Sequence, residues 1–75
     1  MKNFPEILIF KTNIQCDEDV NVISSHLDGL SYISKWNIDT DDIDKVLRIE
    51  ATGVESSNII HLVKQAGFFC EELQD

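Results

Sequence analysis

The sequence predicts an α+β fold of the ferredoxin-like βαββαβ type, in which two helices cover one face of a four-stranded antiparallel sheet. Two stretches carry apolar residues at three- and four-residue spacing, which is typical of amphipathic helices. Shorter apolar or alternating stretches, typical of strands, lie before, between and after them. Two helices with one apolar stripe each must bury those stripes against the same sheet. Right-handed crossovers then place the first and third strands in the middle of the sheet.

The predicted first strand is the apolar run at residues 7–10. Four consecutive apolar residues are typical of a strand buried on both faces, so we expect it to be central. Pro5 belongs before it, because proline has no N–H to donate to a neighbouring strand. The run is too short for the core of a signal peptide or for a membrane span, so we expect a cytoplasmic protein.

The predicted first helix begins at three carboxylates, Asp17, Glu18 and Asp19. Carboxylates are favoured there because a helix start has free N–H groups and a partial positive charge. Asp28 and Gly29 supply the stop. The apolar stripe of this helix comprises Val20, Ile23, Leu27 and Leu30.

The next two predicted strands are separated by a polar turn at residues 39–42. In the first of them Ile33 and Trp36 are three residues apart, which breaks the period of two and predicts a bulge near Ser34 and Lys35. An edge strand tolerates such a bulge best, and the lysine discourages pairing with other molecules. Trp36 is expected to anchor the core beside the bulge.

The third strand and the second helix follow directly along the chain. Residues 45–51 alternate between apolar and polar side chains, which is typical of a strand with one buried face. Ser56 or Ser57 can cap the second helix, and Gly67 ends it. Residues 68–73 are predicted as a short fourth strand. The apolar stripe of the second helix comprises Ile59, Leu62, Val63 and Ala66.

Length and charge restrict the classes of function. Seventy-five residues with 43% hydrophobic content predict one small domain over residues 1–75, without a deep pocket. Six basic and fourteen acidic side chains give a net charge of −8, which repels nucleic acid and anionic membranes. A protein partner with a basic face is favoured instead. The sheet face away from the helices, with Val46, Phe69 and Leu8, is expected to be partly apolar and available to a partner.

No pattern in the sequence predicts an enzyme. It has no Ser-His-Asp order, no glycine-rich phosphate loop and no histidine beside Cys16. His26 and His61 fall on helix flanks, where a solvated side chain is expected. Cys16 and Cys70 are expected to be reduced thiols, because two cysteines do not make a disulfide framework. A redox role for Cys16 is the least favoured alternative.

Four segments together resemble the heavy-metal-associated domain of copper chaperones and metal-transporting ATPases. They are F-K-T-N-I-Q-C at residues 10–16, W-N-I-D at 36–39, D-K-V-L at 44–47 and the ending at 59–68. The resemblance covers nearly the whole chain and implies the ferredoxin-like fold. It also implies a soft metal ion, such as copper(I), held between the two cysteines of an M-x-C-x-x-C loop, and a docking patch at the first helix for a metal-transporting ATPase or a related domain.

The loop of this chain differs from the family pattern at two positions. Ile14 stands at the methionine, Cys16 matches the first cysteine, Asp19 replaces the second, and Phe68 stands at an aromatic position near the loop. Cys16 and Asp19 are therefore the candidate metal positions. Soft thiolates select copper(I), whereas carboxylates suit harder cations, so Asp19 removes the basis of that selectivity. The carboxylates beside Cys16 also oppose formation of its thiolate.

These departures favour a protein-binding or regulatory module with a degenerate metal loop at Cys16-Asp17-Glu18-Asp19. The alternative is copper-chaperone-like metal handling, with Cys16 in a shared or atypical site that holds copper weakly. Two chains can share copper(I) between their Cys16 thiolates, or Cys70 can supply the missing sulfur. Cys16 and its neighbouring carboxylates can also take zinc or another divalent ion weakly. Cys70 shares a face with Phe68 and is more often expected as a small core residue.

Overall fold

A computed structural model describes residues 5–73, which form four strands and two helices in the predicted order. The elements are β1 (Glu6–Thr12), α1 (Asp17–Leu27), β2 (Ile33–Asp39), β3 (Val46–Ala51), α2 (Ser56–Gln65) and β4 (Cys70–Glu72). All neighbouring strands are antiparallel, in the order β2-β3-β1-β4. The predicted ferredoxin-like fold, with the first and third strands central, is confirmed. The fourth strand is shorter than predicted.

One apolar core lies between the sheet and the two helices. Strands and helices contribute to it together: its buried members are Phe10, Ile14, Ile23, Leu27, Leu47, Ile49, Ala51, Ile59, Val63 and Cys70. Each large aliphatic or aromatic side chain buried there stabilises the fold by roughly 1.5–3 kcal/mol. The helix positions in this set belong to the two predicted stripes, so the three- and four-residue spacing identified the packed faces of both helices.

β1 is central, but it is not buried on both faces. Ile7 is 59% exposed, whereas Phe10 is fully buried. Leu8 faces the buried Ile49 and packs against the core, and Ile7 and Ile9 lie on the opposite side, the open face of the sheet. The prediction of a doubly buried strand is therefore wrong, because both helices pack on one face. The placing of Leu8 on the open face is wrong for the same reason.

β2 is an edge strand with a bulge, as predicted. Its register with β3 shifts between Ile33 and Lys35, so Ser34 is the extra residue. Trp36 is half-buried and packs against the core, and its Nε1 donates to Asp28 Oδ1 at 2.8 Å. This hydrogen bond ties the edge strand to the end of α1.

The two helices differ in how well their ends follow the sequence rules. α1 begins at its three carboxylates, as predicted. At α2, Glu55 takes the capping position and makes no side-chain capping bond, so the predicted serine cap is wrong. Ser56 is already helical, and its Oγ donates to Glu72 Oε1 at 2.9 Å instead. Gly67, with φ of +100°, ends α2 in a conformation that favours glycine. Within residues 5–73, neither helix is long and apolar enough to cross a membrane.

Candidate functional site

The loop between β1 and α1 is anchored at its base by Thr12. This side chain is 5% exposed, and its Oγ1 donates to the backbone oxygen of Lys45 at 2.6 Å. Thr12 Oγ1 also accepts from the N–H of Ile14 at 3.2 Å. The N–H of Thr12 donates to the backbone oxygen of Asp44 at 3.1 Å. A buried hydroxyl that both donates and accepts fixes its neighbours, so the loop and the β2–β3 turn are held together at one end of the sheet.

Two further contacts hold the loop in place. Ile14, at the family's methionine position, is fully buried in the core. Asn13 Oδ1 accepts from the N–H of Phe69 at 2.9 Å, which ties the loop to the segment before β4. Phe68 packs against the core beside that segment. The loop is therefore supported from the core, from the β2–β3 turn and from β4.

Cys16 and Asp19 lie at the start of α1, but in different surroundings. Cys16 is the capping residue, has an extended backbone and is exposed, and its side chain makes no capping hydrogen bond. Asp19 Oδ2 accepts from the N–H of Gln15 at 3.2 Å. This contact resembles a capping box, in which the third helical side chain accepts from the backbone at the helix start, except that the donor here is one residue earlier. One oxygen of Asp19 is thus used by the loop backbone.

The remaining candidate ligands do not gather around Cys16. Among residues 5–73, no group of three or more histidine, cysteine, aspartate and glutamate side chains is arranged to hold a metal ion. The zinc alternative, which requires Cys16 together with several carboxylates, therefore finds no such group there. His26 is exposed on α1, with its Nδ1 3.0 Å from the backbone oxygen of Val22, and His61 is exposed on α2.

Cys70 is a core residue, as the sequence favoured. It is 3% exposed and faces Thr12 across the β1–β4 pair. Burial raises the pKa of its thiol to about 11, and the positive charge of Lys64 opposes part of that rise. A thiol with such a pKa stays protonated at neutral pH, and metal ligation needs the thiolate. Both cysteines are free thiols, but Cys16 is exposed and Cys70 is buried in the core. The structure therefore gives no support to the alternative in which Cys70 supplies the missing sulfur.

The β2–β3 turn adds an acidic and apolar neighbour that the sequence reasoning did not assign to the site. Asp41 is exposed, and Ile43 is 92% exposed. Asp44 forms an ion pair with Lys11 at 3.6 Å. The hydrogen bonds from Thr12 put this turn at the same end of the sheet as Cys16. The predicted topology already implies this placement, because β1 and β2 both run towards this end of the sheet and the segments that follow them therefore lie together.

No family model and no curated protein sequence matches the chain, but solved structures do. The copper(I)-loaded first domain of the human copper chaperone for SOD1 has a TM-score of 0.79 at 16% identity, covering 93% of this chain and 94% of that one. The yeast copper transporter domain Ccc2a has 0.76 at 22%, covering 92% and 96%. The N-terminal domain of ZntA in its Zn(II) form has 0.76 at 11%, covering 96% of each. Residues 5–73 thus have the heavy-metal-associated-domain fold that the sequence predicted.

Proposed function

We propose that this chain is a heavy-metal-associated-like module that binds a partner protein and that, as a single chain, does not carry a thiophilic ion tightly. One observation carries the proposal. Asp19 stands in the place of the second thiol, and its Oδ2 accepts a hydrogen bond from the N–H of Gln15 at 3.2 Å. A carboxylate does not select copper(I), and this carboxylate also takes part in the loop's own hydrogen bonding. Cys16 is then the one soft ligand that the loop offers.

The charge of the loop end supports a protein partner. Asp17 and Glu18 are exposed at the start of α1, Asp41 is exposed on the adjacent turn, and the net charge is −8. One matching structure, with 22% identity and a TM-score of 0.77, is the Atx1–Cu(I)–Ccc2a complex. By analogy, the partner here is a metal-transporting ATPase or a related domain with a basic face. The proposal includes a cytoplasmic location and no catalysis, as expected from the sequence.

A second candidate function is metal handling in a site shared between two proteins. The exposure of Cys16 favours it, because an exposed thiol can meet a thiol of another molecule. Two thiolates are enough to hold copper(I) in linear geometry. This candidate keeps Cys16 as a ligand and leaves Asp19 outside the site.

Competition for copper(I) against a chelator of known affinity tests both candidates. We expect the wild-type monomer to lose the ion to the chelator, and Cys16→Ser to behave the same. A monomer that keeps one ion per chain would contradict the proposal. If the ion is instead retained at one per two chains, and Cys16→Ser abolishes retention, the shared site is favoured.

A further inference from the structure

The outer edge of β2 is the long open edge of the sheet. Within residues 5–73, β2 ends the sheet and has β3 on one side only. β2 is seven residues long, whereas the other end strand, β4, has three residues, two of which are glutamates. An open edge presents unpaired N–H and C=O groups that can pair with another strand. β2 offers more of them than β4, and its two charged residues, Lys35 and Asp39, have opposite signs, whereas both charges of β4 are negative.

The regular part of this edge begins after the bulge. From Lys35 to Asp39, successive residues of β2 face successive residues of β3, from Glu50 back to Val46. A bulge protects an edge because it interrupts the ladder. Here the irregularity lies before Lys35, so five residues keep an uninterrupted edge.

We propose that this edge pairs with the same edge of a second copy of the chain, antiparallel and centred on Asn37. In that register Lys35, which the sequence predicts to discourage pairing of this edge, faces the opposite charge of the partner's Asp39 and favours pairing instead. Trp36 faces the partner's Ile38. Lys35 and Asp39 are exposed, and Trp36 and Ile38 are half-buried on the other side of the strand. Two-fold symmetry makes each contact twice. The charged pairs lie on the open face and the apolar pairs on the helix side.

Neighbouring symmetric registers lack this match. Centring on Trp36 places Lys35 opposite the partner's Asn37 and leaves Asp39 opposite the partner's Ile33. Centring on Ile38 takes Lys35 past the end of the partner's strand. Opposite charges and aromatic–β-branched contacts directly across a strand pair are stabilising, so the register centred on Asn37 is favoured. Backbone hydrogen bonds supply affinity, as in other cases of strand addition.

Sedimentation equilibrium of the full chain, at about 0.15 M salt to screen the repulsion between two acidic molecules, tests the proposal. We expect a monomer–dimer equilibrium. Lys35→Glu and Asp39→Lys should each weaken the homodimer by about tenfold or more, because two attractive pairs become repulsive. An equimolar mixture of the two variants should restore the dimer, because each contact again joins opposite charges. A monomeric wild type, a dimer that both variants retain, or a mixture that stays monomeric would overturn the proposal.

Cross-linking tests the same contact without changing the charges. Asp39 Oδ1 accepts from the N–H groups of Asp41 and Asp42, so Asp39→Lys also weakens a turn, and a second variant is needed. Asn37→Cys in a Cys16→Ser background places two thiols at the two-fold centre, where antiparallel strands bring Cα atoms about 4.5–5.5 Å apart. Oxidised glutathione should produce a covalent dimer. The control is Asn21→Cys in the same background, at an exposed position of α1. Equal cross-linking of the two variants would overturn the register.

Discussion

At the scale of single residues, the buried thiol of Cys70 makes the stability of the fold depend on pH in the alkaline range. Burial raises its pKa from the ordinary value of 9.0 to about 11 in the folded chain. The unfolded chain therefore loses this proton at lower pH than the folded chain. The contribution of the thiol to the free energy of unfolding is intact below about pH 9 and is lost between pH 9 and 11. The loss amounts to about 2–3 kcal/mol.

Urea unfolding at pH 8 and at pH 10.5 measures this dependence. We expect Cys70→Ala to be less stable than the wild type at pH 8, since a core atom is removed. On going from pH 8 to pH 10.5, however, its free energy of unfolding should fall by less than that of the wild type. The control is Cys16→Ala, which leaves the buried thiol in place and should keep the wild-type loss. If all three proteins lose the same free energy of unfolding, Cys70 does not cause the effect.

The loop itself is tested by Asp19→Cys, which restores the family's pair of thiols. We expect copper(I) retention against the chelator, because Ile14 and Thr12 already hold the loop as a supported turn. Loss of the bond to Gln15 should cost about 0.5 kcal/mol, at the low end for a hydrogen bond because the contact is exposed. Glu18→Cys is the control, since it adds a thiol at the wrong spacing. Equal retention in both variants, or none in Asp19→Cys, would show that the loop backbone has diverged.

The sequence located this loop, but not what Asp19 does in it. Three carboxylates indicated the helix start, and Cys16 was placed just before it. The sequence does not predict this contact from the capping-box pattern. Cysteine is not a usual capping residue, and the N–H that donates to Asp19 belongs to Gln15, one residue before the capping position. A residue type indicates which atoms can bind a metal; the local backbone decides whether those atoms are already used.

At the scale of elements, the end of α2 depends on the backbone of Gly67. Its φ is +100°, and a Cβ built there meets nothing within 4 Å. Gly67→Ala is therefore strained by its backbone alone, and we expect a loss of about 1–2 kcal/mol in the free energy of unfolding. Gly29→Ala is the matched control, because it also meets nothing within 4 Å and its φ is not positive. It should be neutral or stabilising by up to about 1 kcal/mol. Equal losses in urea unfolding would contradict the backbone explanation.

The sequence predicts an element well where one spacing of apolar residues dominates. It predicts less well how many faces of a strand are covered by helices. The stripes of both helices and the bulge at Ser34 follow from spacing alone. The run at residues 7–10 indicated a central strand, but the same run fits a strand covered on one face or on two. The number of covering layers depends on how many helices the rest of the chain supplies. Two short helices cover one face, so Ile7 remains exposed.

At the scale of the whole molecule, acidic charge is gathered at the end that carries Cys16. The start of α1 and the β2–β3 turn meet there, joined by the hydrogen bonds of Thr12. A basic domain approaching this end meets Glu18 on the helix and Asp41 on the turn, and Ile43 offers an apolar contact between acidic neighbours. Such charge complementarity mainly raises the association rate and sets the orientation of the partners.

Binding to the basic-faced heavy-metal-associated domain of a metal-transporting ATPase from the same organism, followed by NMR titration at low salt, tests this orientation. We expect Glu18→Lys to weaken binding several-fold, because it places a positive charge against the basic face. Glu55→Lys makes the same change at the exposed start of α2, at the other end of the sheet, and should have little effect. The wild-type affinity should fall as salt rises, since exposed charges are screened. If the two variants weaken binding equally, net charge rather than the loop end attracts the partner, and the docking proposal fails.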